Sequence, residues 1–193
     1  MVVWTVTVLR VLGPWNLLWI CDLANIIILV AIWRENALLF SSQLVAVLLV
    51  DVLWTIDVVG KVILGEHLIG GTEYMFMAEI PAFARGLSLF HVFVPALLLW
   101  MVIKLGYDRR GYYLQMILTW FLIPFTYVLS PAERNINWVH QPFGKPQDIV
   151  DPRLYVAFLM IAYPLVVYLP SHLFALNLFG SKIRDQKQRS ISA

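Results

Sequence analysis

The stretch ALLFSSQLVAVLLVDVLWTIDVVGKVIL, residues 37–64, is apolar over almost its whole length yet contains Asp51, Asp57 and Lys61. About 20 mostly apolar residues in a helix are enough to cross the hydrocarbon layer of a membrane. The stretch is longer than that, so it predicts a transmembrane helix. Charged side chains inside such a helix are costly in lipid, and we expect them to face other helices and to find polar partners there.

The composition of the whole chain agrees with a membrane protein. Of its 193 residues, 61% are hydrophobic and 13% are charged, whereas soluble domains are about 45–50% apolar and about 25% charged. A water-soluble core of this length cannot bury so much apolar surface. The net charge of +2 is too small to indicate a nucleic-acid partner. The single cysteine, Cys21, excludes an internal disulfide and any CxxC motif.

Further apolar stretches lie on both sides of this helix, and they give about five predicted spans in all. The predicted spans are residues 14–33, 37–64, 85–104, 110–130 and 154–178. Residues 1–12 are apolar but short and contain Arg10, so we interpret them as an interfacial helix rather than a cleaved signal. The sequence therefore predicts an all-α, polytopic transmembrane helical bundle of about five spans plus this N-terminal helix. The bundle would form one domain, 1–180, followed by a basic cytoplasmic tail, 181–193.

Basic residues concentrate on one side of the predicted spans. The 34–36 turn, the 104–110 loop and the tail carry most of the lysines and arginines. Cytoplasmic loops carry such an excess, so we predict an external N-terminus and a cytoplasmic C-terminus. The two long loops, 65–84 and 131–153, are then external.

The second long loop is rich in proline, asparagine and glycine, which favour fixed turns. Trp138 and Phe143 give it apolar side chains to bury. We therefore predict an ordered cap over the bundle. Two other tryptophans, Trp54 and Trp120, fall in the middle of spans, where an aromatic belt at the membrane surface does not explain them.

The polar residues of the spans fall at similar depths in the predicted outer half. At about 1.5 Å per residue, Asp22 lies about 12 Å below the outer end, and Asp57 and His91 lie about 10 Å below it. Asn25 is at about 16 Å and Asp51 at about 20 Å. We expect Asp57, Asp22 and His91 to meet, with Asp51 one to two turns deeper. The predicted outward-facing polar pocket comprises Asp22, Asn25, Asp51, Asp57, Lys61, His91, Asn137 and His140.

The spacing of the charged residues predicts their partners. Asp57 and Lys61 are four residues apart, so they can form an ion pair along one helix face. Asp51 has the same spacing to Thr55, and we expect it to be tied to Thr55 or to a polar group on another span. Asp51 and Asp57 are separated by about 240° around the helix, which argues against a catalytic carboxylate pair.

The same residues also have a purely structural interpretation. Asp57 and Lys61 can be a pair that extends to the membrane surface, and Asp22 and Asn25 can hold two helices together. A lone histidine such as His91 is a weak sign of a ligand site.

The sequence argues against several chemistries. None of its four histidines forms an HxxH or HxxxH pair, and HExxH, GxSxG, the P-loop and GxGxxG are absent. His91 and His172 lie at depths too different to hold one haem. We predict no metal site, and the cofactor stays open.

Several stretches resemble a group of small, uncharacterised bacterial multi-pass inner-membrane proteins. They are WNLLWICDLANI, LWTIDVV, LSLFHVFVPALLLW, LGYDRRGYYLQ and NINWVHQPFG. The resemblance covers nearly the whole chain. It implies a helical bundle in the bacterial cytoplasmic membrane, and it implies no activity or ligand.

Three functions remain open. The first is a non-catalytic membrane module that binds a small molecule, a lipid or a protein partner through the outward-facing pocket, and it has the fewest requirements. The second is a membrane-embedded enzyme that uses aspartate and histidine residues near the outer face. The third is a small proton-coupled carrier, which the small size and the lack of an internal repeat weaken.

Overall fold

The computed structural model describes residues 1–142, 145 and 147–179. These residues form helices joined by turns and loops, with no β-strand among them. The predicted tail 181–193 and Phe143 lie outside the described residues. The main helices are α1 (Val2–Leu12), α2 (Ile20–Arg34), α3 (Ala37–Leu64), α4 (Ala82–Leu105), α5 (Arg110–Leu129) and α6 (Pro152–Phe179).

Four of these helices, α3 to α6, are long and apolar enough to cross a membrane. They correspond to four of the five predicted spans, and their ends agree with the predicted ends to within three residues. An all-helical chain with four such helices fits an integral, multi-pass membrane protein.

The first predicted span, residues 14–33, is not one continuous helix. A short 3-10 helix covers Pro14–Leu18, and the extended backbone of Trp19 separates it from α2. With 15 residues, α2 is about 22 Å long, which is less than the roughly 30 Å of a bilayer core. The count of five spans is therefore not confirmed. The short apolar helix α1 packs on α4 through Trp4 and Phe90, and its interfacial location stays a prediction.

The central helix of the bundle is α3, which packs against α2, α4, α5 and α6. In its most apolar window 56% of the residues are buried, against 33% or less in the other three long helices. Residues 40–47 are buried without a break, so neighbours surround α3 on every side there. Because the long helices alternate in direction, loops 65–81 and 130–151 lie at the same end of the bundle, which we call the loop end.

A close approach of backbones fixes α5 against α3 at the opposite end. A β-carbon on Gly111 would lie 2.7 Å from the backbone nitrogen of Ser42. Farther along, Gln43 donates to Gln115 at 3.4 Å, and Thr119 bonds the hydroxyl of Tyr168 at 2.6 Å. These buried polar contacts, which the sequence did not reveal, tie α3, α5 and α6 together.

A local widening of α6 explains the position of Trp120 in the middle of a span. Residues Tyr163–Tyr168 form a π-helical segment with a proline, Pro164, as its second residue. Pro164 has no N–H, so it cannot donate to the carbonyl of Met160 four residues earlier. The indole N–H of Trp120 donates to that carbonyl at 2.9 Å. Trp120 therefore supplies a bond that the helix itself lacks, as buried backbone groups in a membrane require.

Candidate functional site

Asp51 is the least satisfied polar side chain in the centre of the bundle. It is 0% exposed, and neither of its carboxylate oxygens has a hydrogen-bond partner. Nε2 of His91 on α4 lies 4.0 Å from Oδ1 of Asp51. That distance is too long for a direct hydrogen bond. Thr55, the predicted partner, donates to the backbone carbonyl of Asp51 rather than to its carboxylate.

The ring of His91 is held in one orientation. Its Nδ1 lies 2.7 Å from the carbonyl oxygen of Ser88, which can only accept, so Nδ1 carries a proton. The ring is stacked between Trp54 at 4.5 Å and Phe90 at 4.0 Å. His91 is only 6% exposed. The stacking directs Nε2 toward Asp51 and explains why a tryptophan occurs in the middle of α3.

A contact with the first long loop covers this site. The indole N–H of Trp54 donates to the hydroxyl of Tyr74 at 3.2 Å. Burial raises the pKa of Tyr74, so the hydroxyl stays protonated. The loop is thereby attached to the side chain that stacks on His91.

Asp22 is near enough to Asp51 for their charges to interact. It is buried near the start of α2 and accepts a hydrogen bond from Asn16 in the preceding 3-10 helix. The charge of Asp22 acts on Asp51, and both charges act on Cys21. Asn25 is not part of this group, because its amide donates to the carbonyl of Cys21 on its own helix.

Asp57 belongs to a different arrangement. Its fully buried carboxylate accepts from the backbone N–H groups of Ile69 at 2.6 Å and Gly70 at 3.0 Å. It also accepts from the Thr72 hydroxyl and lies 2.8 Å from Nδ1 of His67. The side chain thus fixes the loop that follows α3. No described contact joins Asp57 to Asp22 or His91, so the expected meeting of these three is wrong.

The predicted ion pair between Asp57 and Lys61 is also wrong. The ammonium of Lys61 donates to the carbonyl of Gly65 at 2.8 Å, where it satisfies the end of α3. The loop, and not Lys61, supplies the partners of Asp57. It folds back at Gly70, whose φ of +96° brings successive N–H groups toward the carboxylate.

Asn137 fastens the second long loop to the break before α2. Its side-chain oxygen accepts from the N–H of Ile20 at 2.9 Å, and its amide donates to the carbonyl of Leu18 at 2.7 Å. Tyr163 of α6 donates to the carbonyl of Asn137 at 3.1 Å. Trp138 packs edge-on against Trp19. The first part of the loop is therefore an ordered cap, as the turn-rich sequence predicts.

The remaining predicted residue, His140, lies in the same cap. Its ring packs on Tyr127 at 5.1 Å, and its backbone N–H donates to Asn135 at 3.0 Å. Its Nε2 is buried without a partner. The single predicted pocket is thus divided into a central group (Asp22, Asp51 and His91), the Asp57 loop attachment, and the cap that contains Asn137 and His140.

Replacing Asn137 with alanine tests the role of the cap. The change leaves the N–H of Ile20 and the carbonyl of Leu18 without partners, so we expect a loss of about 2 kcal/mol in the free energy of unfolding. Denaturant titration in mixed micelles measures it. Gln147→Ala, which removes only exposed bonds to Val150, is the matched control. Equal stability of the two variants would show that the cap does not hold α2.

The central group consists of acceptors. The Asp51 carboxylate, the free nitrogen of His91 and the Asp22 carboxylate present lone pairs, and Asn16 is the one side-chain donor bonded to them among the described residues. No group of three or more His, Cys, Asp or Glu residues in the described part of the chain is arranged to hold a metal ion. The chemistry that fits is the binding of a group that donates hydrogen bonds.

No family model matches this chain, and neither a curated protein nor a solved structure is significantly similar to it. The class of protein therefore rests on the helices themselves. They fit an integral membrane protein of the multi-pass, all-helical class.

Proposed function

We propose that the protein is a non-catalytic binding module of the bacterial cytoplasmic membrane. It binds the polar group of a small molecule or lipid at Asp51, Asp22 and His91. The observation that carries the proposal is the Asp51 carboxylate, which is fully buried and has no hydrogen-bond partner. An unsatisfied buried polar group costs about 1–3 kcal/mol, and more when it is charged. A ligand that donates to it removes this cost.

The acceptors of the site select the chemistry of the ligand. A primary ammonium group has three donors and no acceptor. Such a group can bond to Asp51 and His91 together, which a quaternary ammonium of the same charge cannot do. We therefore propose a primary amine as the recognised group, carried by a free small molecule or by a lipid headgroup.

Two features support entry from the loop end. Loop 65–81 reaches the site through the bond between Tyr74 and Trp54, which stacks on His91. Toward the opposite end, residues 40–47 of α3 are buried on every side. A site that opens to one side favours binding over transport.

The test compares ethanolamine with tetramethylammonium as probes of the purified protein in lipid nanodiscs. Ethanolamine is expected to raise the midpoint of thermal unfolding with increasing concentration, because a ligand that binds only the folded state stabilises it. Tetramethylammonium at equal ionic strength is expected to leave the midpoint unchanged.

The matched variants are Asp51→Asn and Glu79→Gln, the latter removing an exposed charge on the covering loop. Glu79→Gln should respond to ethanolamine like wild type, and Asp51→Asn should not respond. The same response to both cations, or an equal response in Asp51→Asn, would refute the proposal. Exchange of phosphatidylethanolamine for phosphatidylcholine in the nanodiscs then separates a lipid headgroup from a free amine.

The proposed orientation places the loop end outside the cell and the C-terminus in the cytoplasm. Basic residues at the opposite end, including Lys104, Arg109 and Arg110, support it. A reporter fused after Ala193 should behave as cytoplasmic, and one inserted at residues 147–150 as external. An N-terminal reporter should also be external, because Asn137 of the external cap bonds Leu18 and Ile20 at the start of α2; a cytoplasmic signal would contradict this attachment. Reversed signals from the first two reporters would overturn the orientation.

A further inference from the structure

We propose that Asp51 and His91 form a proton-binding pair that holds one exchangeable proton in the core of the bundle. The proposal rests on the hydrogen-bond accounting of the two side chains. It goes beyond ligand binding, because it describes the site without a ligand; an amine that bonds both side chains would displace this proton.

The first step is the assignment of the imidazole nitrogens. The Ser88 carbonyl fixes the proton of His91 on Nδ1, 2.7 Å away. In a neutral imidazole, Nε2 then carries a lone pair. This lone pair faces Oδ1 of Asp51 at 4.0 Å, and stacking on Trp54 and Phe90 prevents the ring from turning away.

The second step is the charge balance. With Asp51 ionised and His91 neutral, two acceptors face each other without a donor, and the pair carries a net charge of −1 in an apolar environment. One added proton makes the pair neutral. It resides either on Asp51, as a carboxylic acid that donates toward Nε2, or on Nε2, as an imidazolium beside a carboxylate. A movement of about 1 Å brings the two atoms to hydrogen-bonding distance.

The surroundings favour retention of this proton. From α2, Asp22 adds a second negative charge and Cys21 lies beside it. Tyr74 of the covering loop bonds the Trp54 that stacks on His91, and Tyr163 of α6 interacts with Cys21; both are phenols. Within the described residues, α5 brings no charged group to the pair, and Asp57 is occupied by its own loop. Arg85, earlier on α4, donates to the carbonyl of Met75, and among the described residues no Lys or Arg lies within ion-pair distance of Asp51.

Nitrogen NMR of the histidines tests the pair directly. The protein is labelled with ¹⁵N-histidine, reconstituted in lipid bilayers and titrated with acid and base, and its four histidines are assigned by single substitutions. We expect His91 to keep a proton on Nδ1 at every pH. Its Nε2 resonance should shift in a one-proton step that Asp51→Glu retains and Asp51→Asn abolishes or displaces.

Asp57→Asn is the matched control, because it removes a carboxylate six residues away that contacts His67. It should change the resonances of His67 and leave those of His91 as in wild type. A His91 Nε2 resonance that never shifts with pH in wild type would overturn the proposal. The same result follows if the shift is identical in Asp51→Asn, or if Nδ1 is unprotonated. If Asp51→Asn fails to fold, Asp51→Glu makes the comparison, and a His91 step with the wild-type pH midpoint in that variant would also overturn the proposal.

Discussion

Replacing Asp57 with alanine is expected to destabilise the protein by about 4 kcal/mol. Four donors lose their acceptor in this variant: two backbone N–H groups, the hydroxyl of Thr72 and the ring of His67. At about 1 kcal/mol or more for each, the sum reaches that size. Denaturant titration in mixed micelles measures the loss. Cleavage at Glu66 and Glu73 by a glutamate-specific protease should also accelerate, because the loop is no longer held.

Lys61→Ala is the matched control, one turn farther along α3. The half-buried Lys61 makes one bond to the carbonyl of Gly65, so we expect a loss of about 1 kcal/mol or less. The control also separates two interpretations of the sequence. If Asp57 and Lys61 formed an ion pair, the two variants would lose similar stability, and loop cleavage would not depend on which one was changed.

Gly111→Ala is expected to cost about 2–3 kcal/mol, a large effect for the addition of one methyl group. The new carbon would lie 2.7 Å from the backbone nitrogen of Ser42 and 2.8 Å from the backbone carbon of Ser41. Because these are backbone atoms of the central helix, relief requires α5 to move away from α3. The midpoint of thermal unfolding in nanodiscs should fall accordingly.

Gly86→Ala in the first turns of α4 provides the comparison. A β-carbon there meets no atom within 4 Å, so alanine should be neutral or stabilising by up to about 1 kcal/mol through its higher helix propensity. A Gly111→Ala protein as stable as Gly86→Ala would show that α3 and α5 are not in close contact.

The long helices could be predicted because their signal is local. A run of apolar residues such as 37–64 defines a span without reference to any other part of the chain. The first predicted span is not one continuous helix, for a reason that lies outside the run itself. Trp19 adopts an extended backbone, and Asn137, more than a hundred residues later, bonds the groups that this break exposes. A hydropathy profile carries no information about a contact between residues so far apart in the chain.

The partners of the polar residues were harder to predict than their depth. Helical spacing correctly placed Asp51 and Asp57 on different faces, but it suggested Lys61 as the partner of Asp57, whereas the loop supplies closer donors. Similar depth predicted that Asp22 and His91 lie at the same level of the bundle. The aspartate near His91 is Asp51, however, and not the predicted Asp57. Depth specifies height in the bundle, and only packing specifies which helix faces are adjacent.

Trp54 and Trp120 lie in the middle of spans, and each donates a hydrogen bond there. Trp54 stacks on His91 and bonds Tyr74, and Trp120 bonds the carbonyl that Pro164 leaves free. Each indole N–H therefore bonds an acceptor within the bundle. A tryptophan that falls outside the membrane-surface belt, in a chain with prolines or buried histidines in neighbouring spans, is a signal that sequence analysis can use.

The central claim is that no described group of the protein donates a hydrogen bond to the Asp51 carboxylate. The carboxylate is satisfied instead by a bound proton, or by a hydrogen bond from a ligand or a water molecule. An experimental density map of the protein in nanodiscs with ethanolamine, at a resolution that shows ordered water, tests this directly. We predict density within hydrogen-bonding distance of both Oδ1 of Asp51 and Nε2 of His91, with His91 still stacked on Trp54. A map in which an N–H or O–H group of the chain other than His91 bonds both oxygens of Asp51, with no space beside His91, would contradict the account.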